Sequence, residues 1–213
     1  MDVIRPTDAL IVVDVQNDFL PGGRLAVEGG DQIVPLINLM IPLFDNVVYT
    51  RDWHPADHVS FADEPEYRDG SWPAHCVQGT AGAEFPPNLK ISRDALVVDK
   101  GDDPAVEAYS GFQATSLDLA AWLREREVER LFITGLATDY CVLNTALGGV
   151  AAGFEVALVE DSVRGVAPET TREAMEELRR AGVRVTTAAA ISTAVAVSVA
   201  TGEEPEPPAT SEE

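Results

Sequence analysis

The run Ala9-Leu10-Ile11-Val12-Val13-Asp14 decides how this chain folds. It is short, apolar at consecutive positions and rich in β-branched residues. That pattern reads as a strand buried on both faces rather than one with a solvated side. Four runs downstream look the same: Asn46-Val47-Val48-Tyr49-Thr50, Ala95-Leu96-Val97-Val98-Asp99, Leu131-Phe132-Ile133-Thr134 and Phe154-Glu155-Val156-Ala157-Leu158-Val159. Val183-Arg184-Val185-Thr186-Thr187 is a sixth, less apolar candidate. Helices are predicted between them over Gly30 to Phe44, Ser116 to Glu127, Thr138 to Ala152 and Pro168 to Ala181. Pro168 and Glu169 suit a helix start, and Gly182 suits its end. Strands alternating with helices imply a mostly parallel central sheet of about six strands with helices on both faces, a single doubly wound α/β domain.

At 213 residues the chain is long enough for one domain with a full core, expected over residues 1–190. An additional C-terminal helix, serving packing or a subunit contact in a homo-oligomer, fits 191–202. The acidic, Pro-rich segment 203–213 reads as a disordered tail. The apolar stretch from Ala188 to Ala200 is too short to span a bilayer. The start Met1-Asp2-Val3-Ile4-Arg5-Pro6 has no signal-peptide pattern, so a cytoplasmic location is expected. Thirty-six acidic against fifteen basic residues give a formal charge of −21, which argues against nucleic acid or an anionic membrane as partner. Cys76 and Cys141 are too few for a disulfide framework and read as free thiols, metal ligands or nucleophiles.

Chemistry-bearing residues stand at the ends of the predicted strands. In such sheets ligands bind outside the carboxyl ends of the strands. Asp14 closes the first run, Asp52 follows the second, Lys100 follows the third and Cys141 opens the helix after the fourth. The three histidines, His54, His58 and His75, all fall in the long irregular stretch between Arg51 and Ser92. With Asp52 they form a candidate shell for zinc, iron or manganese, since imidazole and carboxylate suit all three ions. The competing reading is a loop whose histidines are incidental. Cys141 in the first turn of a helix, with Lys100 nearby, is expected to favour the thiolate; a small buried cysteine at a strand–helix junction is the alternative. Asp14 beside the thiol is expected to have a raised pKa and to exchange the thiol proton; a turn cap is its alternative. Lys90 and Lys100 are the only lysines, which weakens the reading of Lys100 as an ordinary surface cation.

Five segments together give a family resemblance: Val13-Asp14-Val15-Gln16-Asn17-Asp18-Phe19, Thr50-Arg51-Asp52-Trp53-His54, Trp72-Pro73-Ala74-His75-Cys76-Val77, Lys100-Gly101 with Tyr109-Ser110-Gly111-Phe112, and Gly135-Leu136-Ala137-Thr138-Asp139-Tyr140-Cys141-Val142. The chain resembles the nicotinamidases (pyrazinamidases) of the isochorismatase-like cysteine hydrolase superfamily from about Ala9 to about Ala189. The resemblance implies a catalytic triad of Asp14, Lys100 and Cys141, and one divalent metal ion on Asp52, His54, His58 and His75. It further implies an oxyanion hole from the amides of Ala137 and Cys141, with a cis peptide at Leu136-Ala137. Phe19, Trp72 and Tyr109 are implied to line a pyridine pocket. The expected reaction is hydrolysis of the small molecule nicotinamide to nicotinate and ammonia through a thioester, with pyrazinamide as a further substrate. Tyr140 departs from several relatives, which have histidine there. Cys76, beside His75, is read as structural. Two rivals stay open on the sequence: a superfamily hydrolase of another small amide or isochorismate-like acid, and a catalytically silent metal-binding or interaction domain.

Overall fold

A computed structural model describes residues 3–67, 70–93 and 95–191. Six strands, β1 (Asp8–Val13), β2 (Asn46–Asp52), β3 (Leu96–Lys100), β4 (Arg130–Leu136), β5 (Glu155–Arg164) and β6 (Arg184–Thr186), form one all-parallel sheet in the order β3-β2-β1-β4-β5-β6. Every residue of β1 is fully buried, as its unbroken apolar run requires. Its pleat sends alternate side chains to opposite faces. Leu10 and Val12 enter a core with Ile33, Ile37 and Met40, while Ala9, Ile11 and Val13 enter a second core with Leu119, Leu123 and Ala146.

The helices are α1 (Val34–Met40), α2 (Leu119–Arg124), α3 (Leu143–Ala151) and α4 (Pro168–Arg180). Three are shorter than their sequence patterns. In the first, Pro42 removes a backbone donor, so α1 stops at Met40 and gives way to a 3₁₀ turn over Ile41–Leu43; Gly30–Ile33 is another such turn. In the second, the Asp118 side chain accepts from the Ala121 amide at 2.9 Å and fixes the start at Leu119. The third begins as a π-helical turn over Thr138–Val142 before α3 proper. Only α4 closely follows its pattern, with Gly182 just past its end at φ 86°.

Strand order reverses direction at β1, whose neighbours β2 and β4 come from opposite halves of the chain. A crevice opens outside the carboxyl ends of strands at such a point. Register places Val13 opposite both Thr50 and Gly135, and Asp52 opposite Lys100, so these strands end at a common level. The segment between β2 and β3 contains no α-helix and folds back over that end as irregular structure. Among the described residues no helix is long and apolar enough to cross a membrane. The expected helix over 191–202, apart from Ile191, and the tail at 203–213 lie outside the described residues.

Candidate active site

The carboxyl ends of β1, β2 and β3 and the turn after β4 each contribute one group to a single buried cluster. Asp14, one residue past β1, adopts a left-handed backbone (φ 47°), a conformation that aspartate tolerates better than most side chains. Its Oδ1 accepts from Thr50 Oγ1 at 2.6 Å. Its Oδ2 lies 2.9 Å from Lys100 Nζ in an ion pair, outside hydrogen-bond alignment. Lys100, the last residue of β3, is fully buried. Its ammonium also contacts an oxygen of Asp52, Cys141 Sγ at 3.3 Å and the Ala108 carbonyl at 3.2 Å. Among the described residues, Asp14 Oδ2 and Thr138 Oγ1 are the buried side-chain oxygens without a hydrogen-bond partner, and both stand at this crevice. Native structures leave few such groups, and catalytic atoms are among the usual exceptions.

Electrostatics assign the resting protons. Burial would lower the Lys100 ammonium, but Asp14 and Asp52 hold it well above the usual lysine range. Burial would raise the Asp52 carboxyl, yet Lys100 and His54 hold it well below the usual carboxylate range. For Asp14 burial prevails over Lys100, and the carboxyl is pushed up. Cys141 corrects the sequence expectation. Burial, the carboxylates of Asp14 and Asp52 and a hydrogen bond to Asp14 outweigh Lys100, so the resting group is a thiol rather than a thiolate. The thiol lies within 4.8 Å of a carboxylate oxygen of Asp14, whose raised carboxyl is a better proton acceptor than that of Asp52.

A second cluster adjoins the first through Asp52. His54 Nε2 and His75 Nε2 lie 3.6 and 3.8 Å from Asp52 Oδ2. Carbonyls only accept, so His54 Nδ1–H must donate to Gly101 O (2.9 Å) and His75 Nδ1–H to Pro73 O (2.8 Å). Both rings thus turn Nε2 toward Asp52. Burial would lower the His54 imidazole, but Asp52 pushes it up from its usual range. A metal ion would take the place of a proton on Nε2 of an imidazole oriented through Nδ1 in this way. One carboxylate oxygen and two imidazole nitrogens at these separations suit a divalent ion bonded at about 2.0–2.2 Å to each. His58 is buried beside them, its ring centroid 4.2 Å from that of His54. Its Nε2–H donates to Val106 O (3.2 Å) and its Nδ1 accepts from Ser60 Oγ (2.8 Å), so its lone pair is engaged and it stands outside the three-ligand group.

Cys141 and His75 share a pocket of about 430 Å³ with Phe19, Trp72, Tyr109 and Ala137. Ala137 and Cys141 bracket the turn after β4, and the Leu136–Ala137 peptide is cis. Amides at a helix start lack acceptors one turn back and can face an anion. A family model described as the isochorismatase domain matches residues 8–190.

The chain belongs to the isochorismatase family.

Within that family it is 41% identical to a nicotinamidase of Escherichia coli (strain K12) over 207 residues, covering 86% of this chain and 96% of the relative. A solved pyrazinamidase of Pyrococcus horikoshii in complex with zinc is 46% identical with a TM-score of 0.78, covering 85% of this chain and 99% of that one. A protein of L. infantum solved in complex with nicotinate is 36% identical with a TM-score of 0.81, covering 89% and 98%. The isochorismatase fold here brings together Asp14, Lys100 and Cys141, and separately Asp52, His54 and His75. Phe19, Trp72 and Tyr109 all line the pocket.

Several residues carry roles that strand and motif patterns do not announce. Leu25, Val27, Glu107, Tyr140 and Val166 also line the pocket. Fully buried Gln16 grips the backbone of Asp52 on both sides: Nε2 donates to Asp52 O and Oε1 accepts from Asp52 N, each at 2.8 Å. Asp139 accepts from the amides of Val166 (2.9 Å) and Ala167 (3.2 Å), tying the cysteine turn to the start of α4. Only its place two residues before Cys141 hints at that. Cys76 is fully buried, and burial pushes its thiol well above the usual range, as a structural cysteine requires.

Proposed function

We propose that this isochorismatase-family chain is a cysteine amidohydrolase that converts nicotinamide to nicotinate and ammonia, with pyrazinamide as a second substrate. The observation that carries the reading is the contact of two clusters in one pocket. Asp14, Lys100 and Cys141 supply a nucleophile, its base and a counter-cation, and Asp52, His54 and His75 lie immediately beside them.

In the proposed sequence the ring lies between Phe19, Trp72 and Tyr109 with its carboxamide toward Cys141. Asp14 Oδ2 takes the thiol proton, and Sγ attacks the amide carbon. The amides of Ala137 and Cys141 receive the oxyanion; loss of one such donor typically costs about 3 kcal/mol. Asp14 returns the proton to the departing nitrogen, which leaves as ammonia, and a thioester remains. Asp14 then removes a proton from a water that attacks the thioester carbon. Collapse breaks the C–S bond, releases nicotinate and returns the thiol with the proton held on Asp14. Lys100 stays charged throughout and holds both partners.

Asp52, His54 and His75 would hold a divalent ion, zinc, iron or manganese, and His58 beside His54 is a fourth candidate ligand. When bound, such an ion supplies Lewis acidity toward a ring nitrogen. The test is ammonia release from nicotinamide by the metal-loaded protein. Rapid release that disappears in Cys141→Ala supports the reading, and release at the parent rate by Cys141→Ala sinks it.

A further inference from the structure

The pocket that contains Cys141 adjoins a second, more open cleft of about 900 Å³, and Tyr109 and Tyr140 line both. Trp72 packs edge-on against Tyr140 with centroids 4.9 Å apart and donates from Nε1 to Tyr109 Oη at 3.1 Å. Three mutually braced rings therefore separate an inner from an outer chamber. Carboxylates stand at both levels, Asp52 and Glu107 inside and Glu169 and Glu173 outside, and among the described residues no lysine or arginine lines either chamber. Lys100 lies close by, but its ammonium is already shared among Asp14, Asp52, Cys141 and the Ala108 carbonyl.

Glu107 is held in place from both sides. The carbonyl before it, Val106 O, accepts from His58, and the one after it, Ala108 O, accepts from Lys100. Its own Oε1 accepts from the Ala108 amide at 3.0 Å, which sets the carboxylate against the pocket. It is half-buried and lines the same pocket as Tyr109 and Cys141. A carboxylate so placed meets a neutral amide only through its dipole and N–H groups, which it can accept from, but repels a carboxylate at the same position.

We propose that Glu107 is a specificity-determining residue that separates amide from acid in this pocket. It disfavours ligands bearing a carboxylate, the product of hydrolysis among them, and Glu169 and Glu173 extend the same filter outward. The inference rests on the nicotinamide reading above and concerns what leaves the site as much as what enters. It also assigns the substrate class: uncharged ring amides, with amides carrying a ring carboxylate excluded.

The experiment compares the inhibition constant of nicotinate with the KM of nicotinamide in metal-loaded wild type, Glu107→Gln and Glu107→Asp. The ratio of inhibition constant to KM is expected to fall about tenfold in Glu107→Gln, the size of a modest like-charge repulsion, and to recover in Glu107→Asp. In wild type, rising salt is expected to tighten nicotinate inhibition without changing the KM for the neutral amide. An unchanged ratio, or equal changes in both constants as a purely steric role would give, overturns the proposal. Should wild type fail to hydrolyse nicotinamide, the functional reading fails by itself. Calorimetric binding of nicotinate against nicotinamide to wild type and Glu107→Gln then still decides whether the filter exists.

Discussion

At Cys141 the surroundings oppose thiolate formation until a proton acceptor takes over. Burial and two carboxylates raise the thiol, and Asp14 is itself raised by burial. In the proposed mechanism the nucleophile therefore forms by proton transfer to Asp14 and not from a preformed thiolate. Cys141→Ala and Asp14→Asn are each expected to lower kcat by about 10⁴-fold or more, as loss of a catalytic-triad member does elsewhere. The sign of the pH dependence follows. Asp14 must be ionised to act as base, so kcat/KM falls as pH drops through its folded-state pKa. Because that pKa is raised, the acid limb should lie above the ordinary aspartate value of about 3.9. A pH profile flat down to that value would exclude Asp14 as the base. The histidines divide in the same residue-level way. His54 turns Nε2 to Asp52 within the three-ligand group, whereas both nitrogens of His58 are engaged by Ser60 and Val106 outside it. Removing His54 by alanine substitution should abolish stoichiometric metal binding. His58→Ala should weaken affinity by about 10–100-fold, the usual effect of a supporting partner, and titration with zinc reads both.

Strands and turns fix where these side chains converge, and glycine marks the tightest points. Gly135 in β4 has φ 111°, and a Cβ there would run into the backbone of Val13 in β1. That contact lies on the seam where the two halves of the sheet meet, one residue before Asp14. Gly135→Ala is expected to cost about 3 kcal/mol or more, seen as a fall of about 5–10 °C in Tm. Gly101 follows Lys100 at φ 64°, and a Cβ there would meet the His54 ring. Gly101→Ala should therefore displace His54 and lower metal affinity more than it lowers Tm.

For the molecule as a whole, the formal charge of −21 carried by the chain is a self-repulsion that opposes folding. Raising ionic strength from about 0.01 M to 1 M shortens the screening length from about 30 Å to about 3 Å. Tm is expected to rise over that range, and a Tm that falls or stays level would show that the surface acids are already paired. Chelation should act on another variable: activity is lost with the metal and returns on adding zinc, while the apolar cores on both faces of the sheet keep the fold.

The strands and the order of helices were legible because a doubly buried strand must be a largely apolar run; five runs are of that kind, and the sixth, less apolar one forms the edge strand β6. The cluster of reactive residues at strand ends was legible because a parallel sheet gathers its carboxyl ends on one side. The residues could not show where α1 and α2 would stop, since Pro42 and the Asp118 cap act through backbone hydrogen bonds that pattern alone does not count. Nor could they show that Cys141 rests as a thiol, because its state depends on how far burial and two carboxylates outweigh one ammonium. The division of the histidines, the grip of Gln16 on Asp52 and the placement of Glu107 likewise depend on contacts between segments far apart in sequence. Local chemistry selects the groups, and packing in three dimensions sets their distances and therefore their protons and partners.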